Sequence, residues 1–312
     1  MGQKALLATP GFAAKSWSPM SDTQRPGILP CQAIEALIAN RAITADTPFE
    51  PDQVQPASLD LRLGARAWRV RASFLPGRHT VRERIASVAM HEVDLTRGAV
   101  LERGCVYIAE LQERLKLPKG VSARANPKSS TGRVDVFVRL LSDHGAAFDD
   151  VDAGYDGPIY MEIGPQTFSV LVRTGTRLNQ LRLKTGTPAR LRTESVGVDL
   201  TGEIAGFRGR RHAGVVDLDK EDGHDPRDFW EPLHPKDGQL LLDPGEFYIL
   251  ASKGVLEVRS HETPFILEDG QTVARLVYEP LTEKPDRLYG DLGSHYQRQG
   301  LKLSKHFRIW GE

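Results

Sequence analysis

Two cysteines, Cys31 and Cys105, are all the thiol chemistry this 312-residue chain has. A disulfide framework is excluded as its organising principle, and a reducing cytoplasm is the expected home. Net charge is equally scarce, because 41 Lys+Arg balance 41 Asp+Glu. Wrapping of a long nucleic acid, which draws on a Lys/Arg excess, is therefore not expected; a local basic pocket for a small anion remains open. No apolar run reaches the roughly 18 residues that a membrane-crossing helix needs. The N-terminal apolar stretch is short and interrupted by Pro10-Gly11, which argues against a signal peptide. Residues 1–27 read as a loose leader.

Signatures of the common catalytic machines are missing as well. The chain has no G-x-S-x-G elbow, no G-x-x-x-x-G-K-[ST] phosphate loop and no H-E-x-x-H. The nine histidines show no paired ligand spacing, so structural zinc is not expected. A zinc-bound deaminating water needs H-x-E followed by P-C-x-x-C, and two cysteines 74 residues apart do not supply it.

Turn formers are abundant: 29 Gly and 20 Pro. After Pro30, the run Gln32–Asn40 places Ile34, Leu37 and Ile38 on one helical face. Beyond it, short strand-like runs prevail. Leu59, Leu61 and Leu63 alternate with Ser58, Asp60 and Arg62, and further runs cover 106–109, 134–141, 159–163, 168–173 and 178–183. Frequent strands between Gly/Pro/Asp/Asn turns predict an all-β barrel or sandwich.

The chain also resembles itself. Leu101-Glu102-Arg103-Gly104-Cys105-Val106-Tyr107-Ile108 aligns with Leu242-Asp243-Pro244-Gly245-Glu246-Phe247-Tyr248-Ile249. The stretch from Glu162 to Leu181 aligns with that from Glu257 to Leu276. The offsets, 141 and 95 positions, leave the second copy 46 residues short between these anchors. Two related β units are therefore expected, over 28–190 and, shortened, 191–283, followed by a tail over 284–312. Between them, Gly206-Phe207-Arg208-Gly209-Arg210-Arg211-His212 reads either as a solvated loop or as a phosphate contact through Arg forks.

Two clusters carry candidate chemistry. Asn126-Pro127-Lys128-Ser129-Ser130-Thr131-Gly132-Arg133 brings hydroxyls and cations to one turn, either as an anion site or as a ligand-free turn or helix start. Asp152-Ala153-Gly154-Tyr155-Asp156-Gly157 leads into the strand Ile159–Ile163, on which Tyr160 and Glu162 share a face. If that face lines a cleft, Glu162 is a candidate general base; if not, it is an exposed strand carboxylate.

In order and spacing, Ala57-Ser58-Leu59-Asp60-Leu61-Arg62-Leu63-Gly64, Pro127–Arg133, Asp152–Gly157 with Glu162, Gly175–Leu181, and the tail at Tyr289 and 295–300 together resemble the deoxycytidine triphosphate deaminase branch of the dUTPase-like superfamily. The resemblance implies a distorted β jelly-roll, internally duplicated here, with a short N-terminal helix. It implies a trimer with active sites between subunits, dCTP as substrate, dUTP and ammonia as products, and magnesium carried by the triphosphate with no zinc. It implies Glu162 as acid/base, Ser129 and the backbone near Ser142 orienting water and amino group, and Arg133 supporting transition-state charge. Lys128, Ser130 and Gln180 would lie by the phosphates, Asp152 would read the deoxyribose or hold its turn, and Tyr289 and Gln299 would close over the nucleotide. The turn 142–152 is longer than the family's, and His295 stands where the family often has Lys. The second copy keeps Glu257 at the position of Glu162 but lacks the Ser-Ser-x-x-Arg cluster, so it is expected to be catalytically silent. A dUTP pyrophosphatase, which would use Asp152 to activate water, and a noncatalytic nucleotide-binding module are the competing readings.

Overall fold

The computed structural model describes residues 25–188, 191–252, 255–259, 262–289 and 301–311. Most of the expected leader, together with His295 and Gln299, lies outside these. Gly27, at the leader's end, already belongs to the sheet, pairing in Gly27–Ile28 against Thr185 and Lys184.

An eleven-stranded antiparallel sheet dominates the first half. Its main path runs Asp150–Val151, Val121–Pro127, Arg177–Thr185, Ser58–Val70, Val106–Lys116, Asp156–Pro165 and Val136–Ser142. The path curls until its ends meet, where Asp149 N–H donates to the Leu140 carbonyl at 3.0 Å and Leu140 N–H to the Asp149 carboxylate at 2.8 Å. The all-β expectation is met, and near-closure leaves little free sheet edge. The strand Ser58–Val70 is buried on both faces over its first seven residues, so its alternating Ser58, Asp60 and Arg62 are as enclosed as its leucines. Arg62 tolerates this because Glu113 accepts from its Nε at 2.8 Å and from its backbone N–H at 2.9 Å, while Pro48 O accepts from Nη1 at 2.8 Å. A buried guanidinium requires such complete pairing.

The helix expected after Pro30 is Cys31–Ala39, burying Ile34 and Leu37. A second helix, Val81–Val88, has no apolar stripe conspicuous enough to be read from the sequence. It starts at Thr80, where a capping box with Glu83 satisfies free N–H groups. Its Val81 and Ile85 pack with Val70, Ile108, Leu141 and Tyr160. This packing buries the second face of the strand carrying Glu162, so Ile159, Tyr160, Met161, Glu162 and Ile163 are all buried.

The second half holds a four-stranded sheet in the order Trp230–Leu233, Gly206–Gly209, Phe247–Ala251, Val255–Arg259, with two smaller strand pairs. It repeats the first half in detail. Glu162 lies opposite Ile108, and Glu257 opposite Ile249, as the two sequence offsets require. Tyr107 Oη accepts from Glu102 N–H at 3.1 Å, and Tyr248 Oη accepts from Asp243 N–H at 2.7 Å. The intervening Gly104 and Gly245 share positive φ values of 74° and 72°.

The halves share a core. Fully buried Trp230 meets Phe168 of the first half at 5.2 Å between ring centroids, Phe247 at 6.0 Å and Phe307 of the tail at 5.8 Å. The end of the tail is thus anchored: Leu303 and Phe307 lie in the main core. Among the described residues, no helix is long and apolar enough to cross a membrane.

Candidate active site

A cleft of about 650 Å³ opens beside the first Ser-Ser cluster. Strand Val121–Pro127 ends there and the chain turns into a four-residue helix, Ser129–Gly132. The segment is a helix start, and one that borders a cleft. The helix is pinned from beneath, since Lys128 N–H and Thr131 Oγ1 both donate to the Leu178 carbonyl, at 3.0 and 2.8 Å. Ser129 remains exposed while Ser130 and Arg133 are buried.

Lys128, Ser129, Ser130, Gln180 and Tyr289 line this cleft with Asp60, Arg177, Arg182, Lys305 and His306. Lys128 is ion-paired to Asp60, and Arg177 pairs with Glu50 and Asp52. Burial raises the Asp60 carboxyl above its ordinary value against the pull of Lys128. The Arg177 hydrogen bond holds Asp52 below its own. Ser58 Oγ donates to Gln180 Oε1 at 3.0 Å, which fixes the amide's orientation at the cleft wall. The tail closes one side: Ser304 Oγ donates to the Ser130 carbonyl and Arg133 Nη1 to the Lys302 carbonyl, each at 2.8 Å. His306, buried by this docking, has its pKa pushed down to about 4, and its Nδ1 lies 3.1 Å from the Lys220 carbonyl.

The other expected residues are not part of this grouping. Glu162 does not line the cleft. It is buried elsewhere, where Arg139 Nε donates to Oε1 at 3.0 Å and Ser73 Oγ to Oε2. Arg139 is in turn stacked on Phe148, 3.7 Å from the ring centroid, so the lengthened turn supplies the platform for this pair. Glu162 is therefore not the exposed strand carboxylate of one reading, and it does not line this cleft. Ser142 is buried in the sheet opposite Ile159, and Asp152 is exposed at a turn where its carbonyl accepts from Tyr155 N–H. Neither lines the cleft.

Arg133 faces a different carboxylate. Glu257, from the second half, has Oε1 3.9 Å from Arg133 Nε. Burial pushes its carboxyl up to about 7, with Arg133 pulling down and Asp135 pushing up. Asp135 itself is raised to about 6 by burial, despite a 2.6 Å hydrogen bond from Thr167 and an ion pair with Arg259. The sequence does pair Glu257 with Glu162 by alignment, but only the fold brings it to Arg133.

The basic run 206–212 is no free phosphate grip. Arg208 pairs with Glu231 and Asp243, Arg210 with Glu231, and Arg211 with Glu246.

A curled antiparallel sheet of this kind has a solved counterpart in a class of nucleotide-acting enzymes. The 2'-deoxycytidine 5'-triphosphate deaminase from Agrobacterium tumefaciens matches with a TM-score of 0.81 and 43% identity, over 84% of this chain and 99% of that one. The family model for the 2'-deoxycytidine 5'-triphosphate deaminase (DCD) N-terminal domain matches residues 25–187, and that for the C-terminal domain matches 175–255 and 251–307. The chain belongs to the 2'-deoxycytidine 5'-triphosphate deaminase family. Among curated relatives, a dCTP deaminase of Halorubrum lacusprofundi is 30% identical over 155 residues, covering 47% of this chain and 73% of that protein. A "dCTP deaminase, dUMP-forming" of Tropheryma whipplei (strain Twist) is 32% identical over 155 residues, covering 47% and 72%.

Proposed function

We propose that the chain hydrolyses the C4–N bond of dCTP to give dUTP and ammonia in the cleft bounded by Lys128, Ser129, Ser130, Gln180 and Tyr289. The observation that carries this is the convergence of those five residues, drawn from three separate segments, on one cleft. Its volume falls in the usual range for small-ligand sites. On this reading Lys128, Ser130 and Gln180 meet the phosphates and Ser129 orients the attacking water. Arg133 offsets charge that builds on the ring, as fixed donors do best where water is excluded. Tyr289 and the docked end of the tail wall off the nucleotide.

Zinc has no role in this proposal, and a carboxylate takes the proton of the attacking water. Two cysteines in separate elements, Cys31 at a helix start and Cys105 before a strand, support that choice. Magnesium would arrive with the triphosphate, neutralising phosphate charge. Asp60 fits such an ion, because its Oδ1 is buried without a hydrogen-bond partner at the cleft. Self-association into the expected trimer is supported by exposed Leu241 and Ile266, cross-strand partners that form an apolar pair on the second half.

The assay is incubation with dCTP and magnesium, following ammonia and pyrophosphate together. Ammonia without pyrophosphate is the expected result. Pyrophosphate in equal amount would move the reading to the dUMP-forming reaction for which the Tropheryma relative is named. Pyrophosphate from dUTP without ammonia from dCTP would sink it in favour of a pyrophosphatase.

A further inference from the structure

The two halves each carry one carboxylate at the same place in the same strand pair, Glu162 and Glu257, and their surroundings have diverged. Glu162 has both oxygens engaged by Arg139 and Ser73, and its side chain is 3% accessible. Glu257 has 36% of its side chain accessible and reaches across the seam between the halves. Like Arg133 it is not itself among the residues that line the cleft, but it packs on the short helix whose Ser129, Ser130 and Thr131 do: a Cβ on Gly132 would lie 2.3 Å from Glu257 Oε2. The next residue, Arg133, approaches its other oxygen. The carboxylate that meets the Ser-Ser-x-x-Arg cluster of the first half therefore belongs to the second half of the same chain.

We propose that Glu257 is the acid/base of the deamination, so that one chain completes one active site from its own two halves. The assignment rests on the deaminase reading above and replaces Glu162 in that role. Water attacks C4 as its proton passes to Glu257; the C4–O bond forms and the electron pair of the C4–N3 double bond moves to N3. Of the two water protons, one ends on N3 and one on the amino group, both relayed by Glu257. The C4–N bond then breaks, ammonia leaves, and C4 becomes a carbonyl. Groups facing Glu257 are Arg133 and Asp135 from the first half and Arg259 from its own strand, the last already paired to Asp135. A carboxyl that titrates near neutrality suits a group that must take and return a proton in each turnover. The shortened second half is then not silent: it lacks a cluster of its own because it serves the cluster of the first half.

The test uses the full chain and three variants, Glu257→Gln, Glu257→Asp and Ser129→Ala, with ammonia release from dCTP and magnesium as the rate and the dCTP-induced rise in Tm as the binding readout. Glu257→Gln is expected to lose at least about 100-fold in kcat while dCTP still raises its Tm. Glu257→Asp is expected to keep partial activity with a displaced acid limb in its pH profile. Should Glu257→Gln fail to fold, an unchanged profile in Glu257→Asp overturns the assignment. Turnover by Glu257→Gln within about threefold of the parent overturns the assignment while leaving the deaminase reading intact. A parent chain that releases no ammonia overturns both. Mixing Glu257→Gln with Ser129→Ala chains tests the one-chain site: no recovery of activity is expected, and recovery would mean that the carboxylate comes from a neighbouring chain.

Discussion

Gly132→Ala is the sharpest probe of the seam between the halves. The new Cβ would sit 2.3 Å from Glu257 Oε2, 3.0 Å from its Cδ and 3.2 Å from Oε1. Ordinary contact begins near 3.4 Å, so the carboxylate must retreat by about 1.1 Å. It can do so cheaply, because it is the free end of a flexible side chain. The backbone raises no objection, since Gly132 closes a helix and is absent from the positive-φ residues. Alanine there even gains up to about 1 kcal/mol by restricting the unfolded chain. Stability should therefore stay within about 1 kcal/mol of the parent. Activity should not, because a displacement of about 1 Å in a proton-transferring group costs on the order of 100-fold, or about 2.7 kcal/mol of barrier. The measurements are ammonia release at saturating dCTP and thermal unfolding of the same samples. Full activity with unchanged Tm would refute the reasoning. So would a loss of several kcal/mol in stability with turnover per folded molecule intact, because the carboxylate would then not be the part that yields.

Three more outcomes follow from the geometry. Activity should fall as pH drops through about 7, because Glu257 must be ionised to accept the water proton; conversely its raised pKa means folding stability declines as pH rises from about 4.5 towards about 7, and Glu257→Gln should abolish that slope in a pH series of melts. His306 has the opposite sense: buried and neutral with a pKa near 4 against an ordinary 6.5, it draws stability down as pH falls through that window, by up to about 3 kcal/mol, and His306→Gln should flatten the acid limb of the melting curve. Trp230→Ala should cost about 3–5 kcal/mol by denaturant titration, since it empties the aromatic seam shared by both halves and the tail.

The all-β class and its repeat were legible because period-two alternation and glycine turns are local. The turn from Leu101 to Tyr107 and its copy from Leu242 to Tyr248 need only a few neighbouring residues, so sequence similarity translated directly into the same hydrogen bond. The cleft group Lys128, Ser129, Ser130 and Gln180 was legible for a related reason, as strand Val121–Pro127 pairs directly with Arg177–Thr185. Helix Val81–Val88 was not legible: only Val81 and Ile85 are buried, and its capping box says where a helix starts but not what it covers. What it covers is the Glu162 face, and that decided the residue's fate.

By itself, the sequence determined the strands, the duplication and the presence of a carboxylate at equivalent positions in both copies. Only the tertiary structure decided what surrounds each carboxylate. Glu162 and Glu257 occupy the same register opposite Ile108 and Ile249, so nothing local separates them. Their difference comes from groups far away in the chain: Arg139 and Ser73 neutralise and saturate one, whereas the packing of the two halves across Trp230 presents the other to Gly132 and Arg133. A proton-transferring group is defined by its surroundings as much as by its chemistry, and those surroundings are assembled only when distant segments meet.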